Sequence, residues 1–166
     1  DIGAGGAAMV VKRGAPNEIL ESEIITDGSF SEDVVAPMGG SREPYSCEGL
    51  KAGRQYLDVP DPEAMKKRLD ELSMKNFIGV IRKSIEKSGY TTEDVDYLAI
   101  LHMKRSAHKT VMNGLGLSEE KTTYLEDYGH IGQNDQILSI DLGLKSGKIK
   151  KDDIVVMVGA GIGYIW

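Results

Sequence analysis

Between Pro62 and Ser88 the apolar residues Met65, Leu69, Leu72, Phe77, Val80, Ile81 and Ile85 recur mostly every three or four positions. That spacing gathers them on one face and predicts a helix. Asp61 supplies an N-cap, Pro62 suits the first helical position, and Gly89 marks the stop. Further helices are predicted over 104–115 and 131–146, the second ended by Gly147. Short apolar runs bounded by turn residues predict strands over 7–13, 18–26, 97–101, 121–125, 154–158 and 164–166. Gly14-Ala15-Pro16-Asn17 reads as the turn between the first two. Residues 27–61 are rich in Gly, Ser, Pro and Asp and lack periodicity, which predicts a long functional loop. Strands alternating with helices give an α/β fold, a mixed β-sheet covered by helices.

Composition narrows the function classes. The 166 residues fit one domain with a real core. A net charge of −6 offers no global basic field for nucleic acid. No apolar run reaches the roughly 20 residues of a membrane span, and no signal peptide is visible. The single cysteine, Cys47, excludes an internal disulfide and suits the cytosol. The chain opens on Asp1-Ile2-Gly3 without a Met and reads as a piece of a longer protein.

Three histidines are the candidates for chemistry. His102 closes the apolar run Tyr97–Leu101, where a strand gives way to a loop. Catalytic groups in α/β folds often sit at such strand ends, although a hydrogen-bonded histidine closing a strand fits as well. His130 lies in Asp127-Tyr128-Gly129-His130-Ile131-Gly132, before the polar helix start Gln133-Asn134-Asp135. Small neighbours permit close approach of a ligand, and free helix amides favour an oxyanion; a solvated loop histidine is the alternative. His108 falls in a local basic cluster with Lys104, Arg105 and Lys109. The cluster either guides a phosphate or an acidic partner or, the preferred reading, forms a solvated helix face.

Other motifs point away from cofactors. Gly3-Ala4-Gly5-Gly6 precedes a strand, and Gly159-Ala160-Gly161-Ile162-Gly163 is followed by Tyr164-Ile165-Trp166, not by a helix. Neither meets the strand, glycine loop, helix order of a dinucleotide site; the second reads as a tight turn between strands. Cys47 sits beside Glu48, the wrong charge to favour a thiolate, and is read as incidental. Three histidines and one cysteine without ligand spacing predict no metal site.

In their order and spacing these motifs resemble the C-terminal half of the β-ketoacyl-[acyl-carrier-protein] synthase III family, thiolase-fold condensing enzymes. The Gly3–Val10 stretch resembles a strand near the end of that family's N-terminal half, and Thr26-Asp27-Gly28-Ser29 its Asp-Gly-Ser turn. The strand ending at His102 resembles the one that carries the active-site histidine, and Tyr128-Gly129-His130 its Gly-Asn turn. Leu142–Val158 resembles the last helix, charged turn and penultimate strand, and Gly161-Ile162-Gly163-Tyr164-Ile165-Trp166 the closing Gly-Gly-Gly-Phe-Thr-Trp. Two departures stand out. His102-Met103-Lys104-Arg105 replaces His-Gln-Ala-Asn, and His130 takes the place of the catalytic Asn.

The resemblance implies a thiolase-like half-fold. Residues 1–48 would end the N-terminal half and add a connecting strand and loop; 49–166 would form the C-terminal domain, cut at its last strand. It implies an acyltransferase of fatty acid or polyketide biosynthesis, a decarboxylating Claisen condensation of acyl-CoA with malonyl on acyl carrier protein. His102 and His130 would be the catalytic pair, donating to the thioester oxygen. Gly161, Gly163, Lys104 and Arg105 would contact substrate. The coenzyme A thioester is a substrate and no cofactor is implied. The full-length protein would be a cytoplasmic homodimer with its nucleophilic cysteine upstream of this chain, and the fragment alone would be inactive. A non-decarboxylating thiolase-fold acyltransferase, a hydroxymethylglutaryl-CoA-synthase-like enzyme and a non-catalytic α/β interaction module are the alternatives.

Overall fold

The computed structural model describes residues 2–14 and 16–166. Asp1 and Ala15, the latter in the turn expected at Gly14–Asn17, lie outside the described residues. Six elements organise the chain: α1 (Cys47–Lys51), α2 (Pro62–Lys87), β1 (Tyr97–Ile100), α3 (Arg105–Leu115), α4 (Asp135–Lys145) and β2 (Val155–Val158). Asp61 accepts from the Ala64 amide at the start of α2, as an N-cap should.

β1 and β2 pair in parallel, Tyr97 beside Val155 and Ile100 beside Val158. A parallel pair needs a long crossover, and α3 and α4 lie in the chain between the two strands. All four residues of β1 are buried, so the strand is covered on both faces. Leu98 and Ile100 enter a core with Phe77, Val80, Ile81 and Ile85 of α2 and Val111, Met112 and Leu115 of α3. Tyr97 and Ala99 point the other way, toward Ile140 of α4 and Ile149. The two-residue period of the strand thus divides its side chains between two helical layers. Each such apolar side chain contributes about 1.5–3 kcal/mol through burial. On the α4 side, Gly143 permits the approach: a Cβ there would sit 2.7 Å from Ile149 Cδ1 and 2.9 Å from Tyr97 Cζ. The result is α/β, with helices over both faces of the strand pair.

Four expected strands differ. Residues 7–13 form no regular element; Val10 is 93% exposed. Residues 18–26 pair only at their end, where Ile25 and Trp166 exchange main-chain bonds of 2.9 Å around the antiparallel bridge of Thr26 with Ile165. The 121–125 run is a short turn over Glu119–Lys121 followed by irregular chain. The 164–166 strand is limited to a short antiparallel pairing with 25–27 and the bridge of Ile165 with Gly161. A strand is stabilised by a neighbouring ladder, and apolar spacing alone supplies none. The N-terminal segments are held by isolated long-range bonds instead. Gly3 N donates to His130 O at 2.9 Å, and Ala7 N to Asn134 Oδ1 at 3.1 Å. Glu23 meets Lys87 at 2.6 Å on the last turns of α2.

The 27–61 stretch is irregular apart from the turn Gly28–Phe30 and the short α1. It is anchored by Phe30, fully buried and packed against Tyr164 and Trp166 at ring separations of 5.1 and 6.2 Å. Among the described residues no helix is long and apolar enough to cross a membrane.

Candidate active site

β1 ends at Ile100, and the chain passes through Leu101 and His102 into α3. Next to this end lies the segment Gly129–Asn134 that leads into α4. Gly129 and Gly132, on either side of His130, have φ of 69° and 73°, which L side chains rarely adopt. These two turns bend the chain back so that the first residue of α4, Asp135, faces both histidines.

Asp135 is fully buried. One of its oxygens, Oδ2, accepts the His102 amide at 2.7 Å and meets His130 Nδ1 at 2.6 Å. The other, Oδ1, accepts the Ile131 amide at 2.8 Å. Each oxygen thus accepts a main-chain amide, and the carboxylate is the accepting partner in all three contacts. An ionised carboxylate only accepts, so the proton in the His130 contact sits on Nδ1. Asp135 therefore fixes the His102 backbone and the His130 ring on one atom.

His102 is half-buried, and burial pushes its pKa below the ordinary histidine value, with the Asp135 charge opposing that shift. Its Nδ1 is buried and has no hydrogen-bond partner among the described residues. A buried N–H without an acceptor is costlier than a lone pair in the same place. The proton of neutral His102 accordingly belongs on Nε2. Its ring packs on Tyr124 at 5.0 Å, and the Tyr124 hydroxyl donates to Met103 O at 3.1 Å.

The closing turn reaches this region through Gln133. Gln133 Nε2 donates to Ala160 O at 3.0 Å, and Gln136 Nε2 to Val158 O at 2.9 Å. Gly161 and Ile165 exchange main-chain bonds of 2.9 and 3.2 Å, which closes the turn. Gly161 and Gly163 are thus tied to the segment that carries His130.

The basic cluster is not what the sequence suggested. His108 is only 4% exposed, which corrects the expected solvated face. Burial drives its pKa down to about 4, and its Nε2 has no partner among the described residues. It meets Tyr124 edge-on, ring centroids 5.3 Å apart, at an open cavity of about 200 Å³. Arg105 stacks over Tyr124 at 4.3 Å and pairs with Glu126 at 2.6 Å; Lys109 pairs with Glu119 at 3.1 Å. Lys104 is exposed just before α3. Cys47 is exposed on α1.

Asp135 is the residue the sequence reading passed over, seen there only as a polar helix start. Its spacing from His130, five residues across a glycine turn, carries no recognisable signal. Among the described residues no group of three or more His, Cys, Asp or Glu could hold a metal ion.

Comparison with known proteins places this geometry. Residues 85–166 match the family described as 3-oxoacyl-[acyl-carrier-protein (ACP)] synthase III C terminal. The β-ketoacyl-[acyl-carrier-protein] synthase III of Natranaerobius thermophilus is 28% identical over 167 residues, covering 99% of this chain and 49% of the relative. That of Symbiobacterium thermophilum is also 28% identical, covering 98% and 48%. The chain spans about half the length of the curated relatives it matches. Crystal structures of 3-oxoacyl-[acyl-carrier-protein] synthase III share its fold. The one from Aquifex aeolicus VF5 aligns with a TM-score of 0.71 at 18% identity, over 93% of this chain and 44% of that one. The one from Pseudomonas aeruginosa PAO1 gives 0.73 at 17%, over 93% and 45%. A strand ending at His102, a glycine turn at His130 and the thiolase-like α/β arrangement therefore occur together in a chain that resembles the C-terminal half of a 3-oxoacyl-[acyl-carrier-protein] synthase III and whose residues 85–166 match that family's C-terminal model.

Proposed function

We propose that the full-length protein carrying this chain is an acyltransferase that joins acyl thioesters by carbon–carbon bond formation. The acyl group arrives on coenzyme A, and the partner is malonyl on acyl carrier protein, which loses carbon dioxide as its carbanion attacks. His102 and His130 act on the reacting thioester, and His102 Nε2–H donates to the oxygen where enolate charge develops. The observation that carries this reading is the single carboxylate oxygen that holds both histidines. Gly161 and Gly163 line the substrate from the closing turn; Lys104 and Arg105 contact its charged carrier at the rim. Residues 1–48 end the other thiolase-like half, whose cysteine supplies the covalent nucleophile. The 166-residue piece alone is therefore inactive, and the cytoplasmic full-length protein is a homodimer.

Single-turnover condensation by the full-length protein tests this. His102→Ala should slow the chemical step by about 10²–10³-fold, the loss seen when one oxyanion donor is removed. His108→Ala should leave that step within a few-fold. If His108→Ala were the more damaged variant, the wrong histidine carries the chemistry.

A further inference from the structure

Two N–H donors would be enough to hold an enolate oxygen, but the two histidines here present different atoms. His102 has its Nδ1 buried without a partner among the described residues, so its outward group is Nε2–H. His130 gives its Nδ1–H to Asp135 at 2.6 Å, so the neutral ring keeps a lone pair on Nε2. One donor and one acceptor are the equipment for moving a proton. Asp135 is suited to orient such a base. It is fully buried, two main-chain amides fix both its oxygens, and a cation forming on His130 would face its charge at hydrogen-bond distance. His130 itself remains partly exposed at 38% of its side chain, so a substrate can reach it.

We infer that the His130–Asp135 pair is a general base that removes a proton from the α-carbon of acyl thioesters lacking a carboxylate, an activity additional to decarboxylation. This rests on the reading of His102 and His130 as the thioester site. In the step, His130 Nε2 takes the α-proton and the C–H bond breaks. Its electron pair moves into the enolate, whose oxygen accepts from His102 Nε2–H. His130 becomes a cation and Asp135 holds its Nδ1–H throughout. If an acyl group waits as a thioester on the nucleophilic cysteine, the enolate carbon attacks its carbonyl. The carbon–carbon bond forms, the C–S bond breaks, and the leaving thiolate takes the proton back from His130. No carbon dioxide is released and no oxidant is needed. Asp135 is a positioning residue here, since it touches His130 and not the substrate.

The test follows deuterium entering the methyl group of acetyl-CoA in D₂O, beside decarboxylation of malonyl-CoA, both with the full-length protein. Wild type should exchange the acetyl protons well above the protein-free rate. Asp135→Asn should lower exchange by about 10²–10⁴-fold, the contribution of a positioned base, and lower decarboxylation at least tenfold less. His130→Asn keeps an N–H donor and loses the basic nitrogen, so exchange should again fall further than decarboxylation. The wild-type measurement decides even if Asp135→Asn does not fold. Decarboxylation without acetyl exchange would overturn the inference and leave the condensing reading standing. Exchange without decarboxylation would support it and remove the malonyl substrate. Equal losses of both activities in His130→Asn and Asp135→Asn would reduce the pair to a structural contact and overturn it.

Discussion

Two buried polar centres flank Tyr124, and they have opposite electrostatic designs. On one side, Asp135 is sealed from solvent with a donor on each oxygen. On the other, His108 is almost as deeply buried, yet its Nε2 has no partner among the described residues. The rings of His102 and His108 lie 5.0 and 5.3 Å from the same tyrosine. What separates Asp135 from His108 is the partner set. Burying a polar group costs free energy unless hydrogen-bond partners are supplied, as they are for Asp135. The proposed chemistry uses the satisfied centre, where a fixed carboxylate can orient a reacting group. The unsatisfied one behaves as a small, neutral piece of core.

The largest expected effect breaks this contrast from the Asp135 side. Asp135→Ala orphans the His102 and Ile131 amides and the His130 Nδ1–H together. Each buried unpaired donor costs about 1–3 kcal/mol, so the full-length protein should lose about 3 kcal/mol or more in chemical denaturation. His108→Leu removes a polar group whose Nε2 has no hydrogen-bond partner among the described residues and should change stability by less than about 1 kcal/mol. Comparable losses in the two variants would mean that partner satisfaction does not distinguish the centres.

Acid should expose the second centre. An unfolded histidine takes up its proton near its ordinary value of 6.5, whereas buried His108 stays neutral until about 4. Between those values the unfolded state binds more protons, so stability falls as pH drops from 6.5 toward 4. The integrated loss from His108 is about 3 kcal/mol or less. His102, also displaced downward by burial, adds to the slope in the same direction. His108→Leu should flatten the pH dependence of unfolding across this window. An unchanged slope would mean that His108 is protonated in the folded protein.

Much of this was legible in the chain, and the illegible part has a physical cause. Helix α2 announced itself because Asp61, Pro62 and the apolar spacing through Ile85 are all local signals. β1 and β2 were readable because both are apolar runs bounded by polar turns. The 7–13 run has the same look and forms no regular element, since a strand depends on a neighbour that composition does not specify. His102 and His130 were picked out by glycines and a strand end. Asp135 was not, because its role comes from convergence in space of residues 33 and 5 positions away. His108 was misread for a related reason. Its charged neighbours suggested a solvated face, yet positions 105 and 109 are exposed while 108 turns inward with Val111 and Met112. A closer count of helical phase would have placed it with them.

The smallest effect sharpens the boundary between the two centres. Arg105 stacks on Tyr124 at 4.3 Å and pairs with Glu126 at 2.6 Å. The pair is exposed, 48% and 68% by side chain, so solvent screens it and it contributes at most about 1 kcal/mol. The cation over the ring adds about 0.5–1 kcal/mol at such a site. Arg105→Ala should therefore cost about 1 kcal/mol in chemical denaturation. The charge also has a directional signature. Burial is the chief reason His108 resists protonation, and the positive charge of Arg105 is a lesser one acting the same way, against the opposing pull of Glu119. Removing Arg105 should move the His108 titration upward, toward the ordinary histidine value, and slightly weaken the acid sensitivity described above. Histidine NMR shifts across pH would record this for His108. A downward movement would mean that the Arg105 charge does not oppose protonation of His108.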